Sequence, residues 1–190
     1  MHTEKTLVLL KPDAIQRSLM GKIITRFEDT GLKIVAMRLI WAEEEIARNH
    51  YPLDEEWAKG MFEKTKASYE KAGKKVPYKT HVEMGKTIQK RLVTFLKESP
   101  VLALVLEGPH AVEIVRKMVG STEPKSSAPG TIRGDFSSVE SYAISDKKER
   151  AARNLIHASD SVENAKREIA VWFTEKEIYN YKKELDKHFE

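Results

Sequence analysis

The residues best suited to chemistry lie between positions 154 and 161, where His157 ends a short apolar run. Asp160, three residues later, is predicted to cap a helix that runs to Phe173. Backbone N–H groups at the start of a helix attract anions, and a neutral imidazole is a competent nucleophile near pH 7. Although a histidine after a strand is more often structural, this pattern fits attack on a phosphate near the helix start.

Glu168 is the residue predicted to support this histidine. It lies eight residues beyond Asp160, and positions 161, 164, 165 and 168 share one face of the predicted helix. A carboxylate on that face can reach back to orient the imidazole of His157.

Two further segments carry cations that suit phosphate. Gly130 and Gly134 bracket Arg133 within a predicted irregular loop over residues 120–134. Arginine forks two donors onto phosphate oxygens, and glycine permits close backbone approach. Lys11 ends the first apolar strand and is followed by Pro12, which stops that strand. Taken alone, Arg133 is better explained as a surface arginine on a turn, and a lone lysine before proline indicates almost nothing.

Together the three segments resemble the nucleoside diphosphate kinase family. Its pattern has Lys-Pro-Asp, then Gly-Thr-Ile-Arg-Gly-Asp-Phe, then Asn-x-Ile-His-x-Ser-Asp-Ser, and the chain has all three in that order. The pair His50 and Tyr51, and Thr122 shortly after Arg116, add to the similarity. The resemblance covers most of the chain outside two insertions.

The resemblance implies a ping-pong reaction through His157. A nucleoside triphosphate would phosphorylate His157, and a nucleoside diphosphate would then collect the group. Glu168 would hold the imidazole, with Ser159 near that contact. The implied nucleotide-binding residues are Lys11, Tyr51 and Asn154 at the ribose, and Arg116, Thr122 and Arg133 at the phosphates, with Lys11 also reaching the transferring phosphate.

The resemblance also implies a cofactor and an assembly. Mg²⁺ would be held mainly by the phosphates of the nucleotide, so no dedicated protein metal site is expected. The partners would be nucleoside di- and triphosphates and further copies of the chain, in a hexamer or a tetramer. Because phosphate and ribose contacts read little of the base, broad base specificity is expected.

The chain departs from the family pattern in two places. We interpret residues 1–190 as a single domain with insertions at about 53–87 and 140–151. The first insertion has two interpretations. It is a helical hairpin on the surface, or it has a role as a lid over the nucleotide or as an altered subunit contact. The position of the base-stacking aromatic residue of the family corresponds to Ile88, and Phe62, Tyr78 and Met84 are alternatives.

Composition excludes several classes. The 190 residues include no cysteine, so disulfides and thiolate metal sites are excluded. The longest apolar run, residues 101–106, is too short to span a bilayer, and a cytoplasmic location is predicted. The net charge of +4 is too small and too scattered to indicate a nucleic-acid surface.

The order of predicted elements indicates an α+β fold. It runs strand, helix, strand, helices, strand, helix, loop, strand and helix, which suits a ferredoxin-like four-stranded antiparallel sheet covered by helices. Residues 175–188 are predicted to form a terminal helix. The sequence from Met84 to Thr87 resembles the end of a phosphate-binding P-loop, but position 80 is Thr80 and not the required glycine, so a helix start is predicted.

Two alternatives to an active enzyme stay open at this point. One is a ferredoxin-like module that binds nucleotide or nucleic acid without turnover, and the other is an inactive homologue. The joint presence of Lys11, Arg133, His157 and Glu168 argues against both, because passive binding does not need the full set and an inactive homologue would lack at least one member.

Overall fold

The sheet has four strands and is antiparallel throughout. The structure is a computed structural model that describes residues 3–71, 73, 75–184 and 187. The strands, in chain order, are β1 (Thr3–Leu10), β2 (Lys33–Ile40), β3 (Val101–Pro109) and β4 (Ile156–Ala158). They lie side by side in the order β2-β3-β1-β4, with every neighbouring pair antiparallel. The predicted α+β, ferredoxin-like fold is confirmed.

Helices fill the intervals between the strands. They are α1 (Pro12–Gln16), α2 (Met20–Glu28), α3 (Glu44–His50), α4 (Glu55–Lys71), α5 (His81–Leu96), α6 (Ala111–Val119), α7 (Ile132–Ser137), α8 (Tyr142–Lys147) and α9 (Val162–Trp172). The described part of the chain contains no helix that is both long and apolar enough to cross a membrane.

The predicted terminal helix was wrong. Glu175–Glu177 forms a single 3₁₀ turn and residues 178–183 are not helical, whereas Glu184 and Lys187 have 3₁₀ conformation; positions 185, 186 and 188 of the predicted helix lie outside the described residues. The segment instead lies along β2, where Tyr179 N donates to the carbonyl of Val35 at 2.8 Å and the Tyr181 hydroxyl donates to the carbonyl of Ile34 at 2.9 Å. Hydrogen bonds to the sheet edge thus replace those within a helix.

The core lies on both faces of the sheet. Successive side chains of a strand point to opposite faces, so Leu7 and Leu9 enter one apolar cluster while Val8 and Leu10 enter the other. All four are fully buried. This two-sided burial explains why residues 7–10, the second half of β1, form an unbroken apolar run that does not alternate with polar residues.

Strand register brings the chemical segments together. Leu9 of β1 pairs with His157 of β4, and the Lys11 N–H donates to the carbonyl of Leu155 at 2.8 Å. The turn that begins α1 therefore lies directly beside the segment that leads into β4. Residues more than 140 positions apart in the sequence become neighbours at one end of the sheet.

The two segments interpreted as insertions touch each other. Helices α4 and α5 pack together as a hairpin, and the Tyr69 hydroxyl donates to Asp146 Oδ2 on α8 at 2.7 Å. Arg91 of α5 donates to the other oxygen of Asp146 at 3.1 Å. The segment from Met84 to Thr87, predicted to start a helix, lies inside α5, which begins earlier, at His81, after Thr80, whose hydroxyl accepts the Glu83 N–H at 3.1 Å.

Candidate active site

A hydrogen bond joins His157 to Glu168. Imidazole Nε2 lies 2.8 Å from Glu168 Oε2, and the Ser159 hydroxyl donates to the same oxygen at 2.7 Å. Glu168 is 5% exposed because it lies on the inner face of α9. That helix is capped by Ser161, whose hydroxyl accepts the Asn164 N–H at 3.1 Å, and not by Asp160 as predicted. A one-residue shift of the cap leaves Glu168 on the face that meets His157.

This contact selects one form of the neutral imidazole. An ionised carboxylate only accepts hydrogen bonds, so Nε2 must be the donor to Glu168. In a neutral ring the lone pair then lies on Nδ1, which becomes the nucleophilic atom. The side chain of His157 keeps 19% of its surface accessible, so an incoming ligand can reach the ring.

His50, the last residue of α3, packs against this ring. The two imidazole centroids lie 4.4 Å apart with the planes nearly perpendicular. His50 is buried, and neither ring nitrogen has a hydrogen-bond partner among the residues that the structure describes. Burial, and then the charge of His157, hold the pKa of His50 well below its usual value. His50 is therefore a neutral wall behind the nucleophile.

Lys11 directly follows β1 and precedes α1, and it takes part in a chain of hydrogen bonds. Its Nζ donates to Asn154 Oδ1 at 2.8 Å, and Asn154 Nδ2 donates to the carbonyl of Thr122 at 2.9 Å. Burial, and then the charge of Arg133, lower the pKa of Lys11 to about 7, while Asp13 opposes that shift. A second negative charge, such as a phosphate, would therefore be strongly favoured here.

Arg133 lies in the first turn of α7, so its predicted place on an irregular loop was wrong. The Thr131 hydroxyl accepts the Gly134 N–H at 3.1 Å and starts a helix within the Gly- and Ser-rich segment. The guanidinium donates to the carbonyls of Gly120 at 2.9 Å, Asn154 at 3.1 Å and Ile156 at 2.6 Å. Since a guanidinium has five N–H groups, two of them are not used in these three bonds.

The remaining predicted residues lie around this centre. Arg116 of α6 and Thr122 are exposed. Burial lowers the pKa of Arg133, and the charge of Arg116 adds to that shift. The hydroxyl of Tyr51 is buried without a partner among the described residues. Gln89 donates to the carbonyl of Tyr51 at 2.7 Å, and its neighbour Ile88 is half-buried on α5. Base stacking on Ile88 stays a prediction.

One group of side chains in the described residues could converge on a metal ion. Ligand atoms of His50, His157 and Glu168 all lie within 4.8 Å of one another. Two imidazoles and one carboxylate suit zinc-like ions, whereas Mg²⁺ prefers an octahedron of oxygen ligands. The arrangement therefore does not fit Mg²⁺ bound by the protein alone, but it is compatible with Mg²⁺ carried by phosphate oxygens.

Sequence reasoning did not assign roles to two residues that the structure places here. His50 was noted only as part of a motif, and nothing in its spacing from His157 indicates ring contact. Asp13 followed Lys11 and Pro12, yet its carboxylate accepts the Leu155 N–H at 3.0 Å. The signal available for Asp13 was its acidic side chain two residues after Lys11, which was already predicted to be a site residue.

Comparisons with known proteins agree with this geometry. A family model described as nucleoside diphosphate kinase matches residues 4–76 and 59–178. A nucleoside diphosphate kinase of Pyrobaculum aerophilum is 45% identical over 94% of this chain and 99% of its own. One from Pyrococcus horikoshii is 43% identical over 97% and 94%.

Solved structures give the same answer. The crystal structure of an NDP kinase from Pyrobaculum aerophilum has a TM-score of 0.89 at 43% identity, covering 94% of this chain and 100% of that one. A transition-state mimic of the Borrelia burgdorferi enzyme, with bound vanadate and ADP, has a TM-score of 0.79 at 35% identity, covering 98% and 96%. The chain therefore belongs to the nucleoside diphosphate kinase family, enzymes that transfer phosphate between nucleotides through a phosphohistidine.

Proposed function

We propose that His157 is the residue that carries the phosphoryl group. The observation that carries this proposal is the 2.8 Å contact between His157 Nε2 and the buried carboxylate of Glu168, which Ser159 also supports. The contact leaves Nδ1 unprotonated at the accessible ring.

The first half-reaction follows from this arrangement. Nδ1 of His157 attacks the γ-phosphorus of a nucleoside triphosphate, the N–P bond forms, and the bond from phosphorus to the β-γ bridging oxygen breaks. The nucleoside diphosphate leaves with that electron pair. The ring becomes cationic as the bond forms, and the carboxylate of Glu168 stabilises that charge through Nε2–H. The second half-reaction reverses these steps on another diphosphate.

Cationic side chains would bind the phosphates. We assign Lys11 to the transferring phosphate and to the ribose, and Arg116, Thr122 and Arg133 to the β- and γ-phosphates. Tyr51 and Asn154 would contact the ribose, and Ile88 the base. Phosphoryl transfer depends mainly on positioning and charge neutralisation, which such groups supply.

Mg²⁺ is proposed as the cofactor, bound through the phosphates of the nucleotide. When bound, it neutralises negative charge on the phosphate oxygens. The protein's own contribution is to hold Lys11 and Arg133 near those oxygens, and no carboxylate of this centre is assigned to the metal.

The direct test is labelling with γ-labelled ATP, followed by GDP. The wild type should take up acid-labile, base-stable label and pass it to GDP. His157→Ala should lose labelling, because no other group in the site is held as a nucleophile. His81→Ala is the matched control and should label normally. Folded wild-type protein that takes up no label, or His157→Ala that still takes it up, would sink the proposal.

The buried state of Lys11 predicts a pH dependence. Its pKa is lowered to about 7, so the cation is present below that pH and is lost above it in the free enzyme. We expect kcat/KM to fall as pH rises through about 7. Bound phosphates favour the cation and raise its pKa, so kcat should hold to higher pH.

Lys11→Arg isolates this effect, because a guanidinium keeps its charge throughout the same range. Its kcat/KM should start lower, since arginine is larger and the site is buried, but should decline less above neutral pH. Initial rates across the pH range measure both profiles. Identical shapes for the two enzymes would exclude Lys11 as the titrating cation.

We propose that the chain is one domain and that segments 53–87 and 140–151 are insertions in it. The family model matches in two overlapping parts that meet inside the first segment, as expected when extra residues interrupt an alignment. The bond from Tyr69 to Asp146 ties the two segments together. The hydrogen bond from Gln89 of α5 to the carbonyl of Tyr51 supports a position of the α4–α5 hairpin at the rim of the nucleotide site.

A homo-oligomer is proposed on the basis of β2. This strand lies at the edge of the sheet, and side chains of Met37, Leu39 and nearby Trp41 are 55%, 56% and 62% exposed. An apolar row beside an edge strand favours association with another chain. The hexamer or tetramer, and the cytoplasmic location, stay predictions.

Leu39→Glu tests this surface. A charge in the middle of the row should weaken the assembly, since burying it without a partner is costly. Light scattering after size exclusion should give a smaller mass for the variant than for the wild type. Val139→Glu, at an 87% exposed position elsewhere, is the control and should keep the wild-type mass. Equal masses for wild type and Leu39→Glu would rule this edge out as the contact.

The non-catalytic alternative is not favoured. Passive binding gives no reason for Glu168 to be buried against a histidine, and an inactive homologue would lack part of the set. Lys11, Arg133, His157 and Glu168 are all present and lie at one end of the sheet.

A further inference from the structure

The backbone just before the nucleophile is in an unusual conformation. Leu155 has φ of +65°, a left-handed conformation that residues with a side chain rarely adopt. Its side chain is fully buried in the core, so the residue cannot be exchanged for a freer one without losing packing. A conformation of this kind persists only where the surroundings hold it.

The Leu155 peptide groups are held by the turn that begins α1. The Lys11 N–H donates to the carbonyl of Leu155 at 2.8 Å, while Asp13 Oδ2 accepts the Leu155 N–H at 3.0 Å. One bond comes from each end of a three-residue segment. Leu155 is therefore clamped through both its N–H and its carbonyl.

The position of His157 depends on this clamp because β4 is short. The strand has three residues and pairs with β1 at three positions. His157 lies two residues after Leu155, so a rotation of the Leu155 backbone would move the imidazole relative to Glu168. Arg133 binds the carbonyls of Asn154 and Ile156, and the Ile156 N–H donates to the carbonyl of Asn154 at 2.7 Å, so Asp13 acts together with these bonds in holding Leu155.

Burying the carboxylate of Asp13 at this position costs free energy. It is 6% exposed, and its Oδ1 has no hydrogen-bond partner among the residues that the structure describes. Burial raises its pKa, and the charge of Lys11 opposes that shift. Charges cost much to bury unless they are paired, so a carboxylate retained here indicates a specific use.

We propose that Asp13 is a positioning residue for phosphoryl transfer, which fixes the left-handed Leu155 backbone and thereby sets the His157 ring against the transferring phosphate. It touches neither nucleotide nor nucleophile. The inference rests on the proposed role of His157, so wild-type labelling at that residue is its starting point.

Two substitutions of Asp13 separate the hydrogen bond from the rest. Asp13→Ala removes the acceptor, whereas Asp13→Asn keeps a carbonyl oxygen that can accept the Leu155 N–H. In single-turnover phosphorylation at saturating ATP, we expect Asp13→Ala to be slower by about 10- to 100-fold, the scale of a small misplacement of a reacting group. Asp13→Asn should phosphorylate at a rate much closer to that of the wild type. The control Asp29→Ala, at the exposed end of α2, should have the wild-type rate.

Nucleotide affinity distinguishes positioning from general damage. Both variants lose the negative charge that supports the Lys11 cation, so Asp13→Ala and Asp13→Asn should have similar ATP dissociation constants while their phosphorylation rates differ. A partly unfolded protein would instead lose binding and rate together, in proportion to the folded fraction. Such a parallel loss would overturn the proposal.

Leu155→Gly provides a second, independent readout. Glycine adopts positive φ without steric cost, so the backbone no longer needs the Asp13 clamp as strongly. The rate penalty of Asp13→Ala should therefore be several-fold smaller in the Leu155→Gly protein than in the wild type. An equal penalty in both backgrounds would contradict the inference, and so would equal rates for Asp13→Ala and wild type. If Leu155→Gly does not fold, the comparison of Asp13→Ala with Asp13→Asn decides the question. Wild type without label at His157 would instead refute the proposed function itself.

Discussion

The hydrogen bond between Glu168 and His157 is the interaction on which the remaining chemistry depends. A neutral imidazole has one donor nitrogen and one acceptor nitrogen, and the carboxylate decides which is which. That decision requires α9 to place Glu168 inward, β1 to hold β4 in register, and Ser159 to occupy a second lone pair of the same oxygen. Sheet, helix and nucleophile are thus linked through one carboxylate.

Two cationic side chains are buried near this bond. Lys11 and Arg133 are 5% and 6% exposed, and burial lowers the pKa of both. Neighbouring oxygens offset the cost: Asn154 accepts from Lys11, and three backbone carbonyls accept from Arg133. Bonds of this kind also fix the two cations in place before a nucleotide arrives. Preorganised charge of this sort is the main means by which a protein stabilises a transferring phosphoryl group.

Local sequence patterns were enough to predict the sheet. Among the proposed site residues, patterns alone pointed to Lys11, Arg133, His157 and Glu168, and the others follow from the family resemblance. Apolar runs with proline and glycine boundaries indicate strands wherever they occur, and Glu168 could be assigned from helical spacing alone. Other features depend on contacts between distant segments. Residues 178–183 have helix-prone neighbours, yet they bond to the edge of β2, and no local pattern reveals that edge.

The same limit applies within the site. Arg133 lies in a segment rich in glycine and serine, and the Thr131 cap that turns it into a helix is visible only once the backbone is folded. His50 contacts the ring of His157 from the end of α3, and Asp13 binds the backbone of Leu155 from the first turn of α1. Spacing along the chain cannot encode such contacts, whereas the registers of β1 with β3 and β4 determine them directly.

The atom of His157 that bears phosphorus tests the central claim most directly. Nuclear magnetic resonance of the phosphorylated enzyme, labelled with nitrogen-15 in its histidines, reports which ring nitrogen is bonded to phosphorus and which still has its proton. Because Glu168 accepts from Nε2, we predict phosphorus on Nδ1 and a proton on Nε2. Phosphorus on Nε2 would contradict the account, since the hydrogen bond to Glu168 would then have to be broken for the reaction to occur.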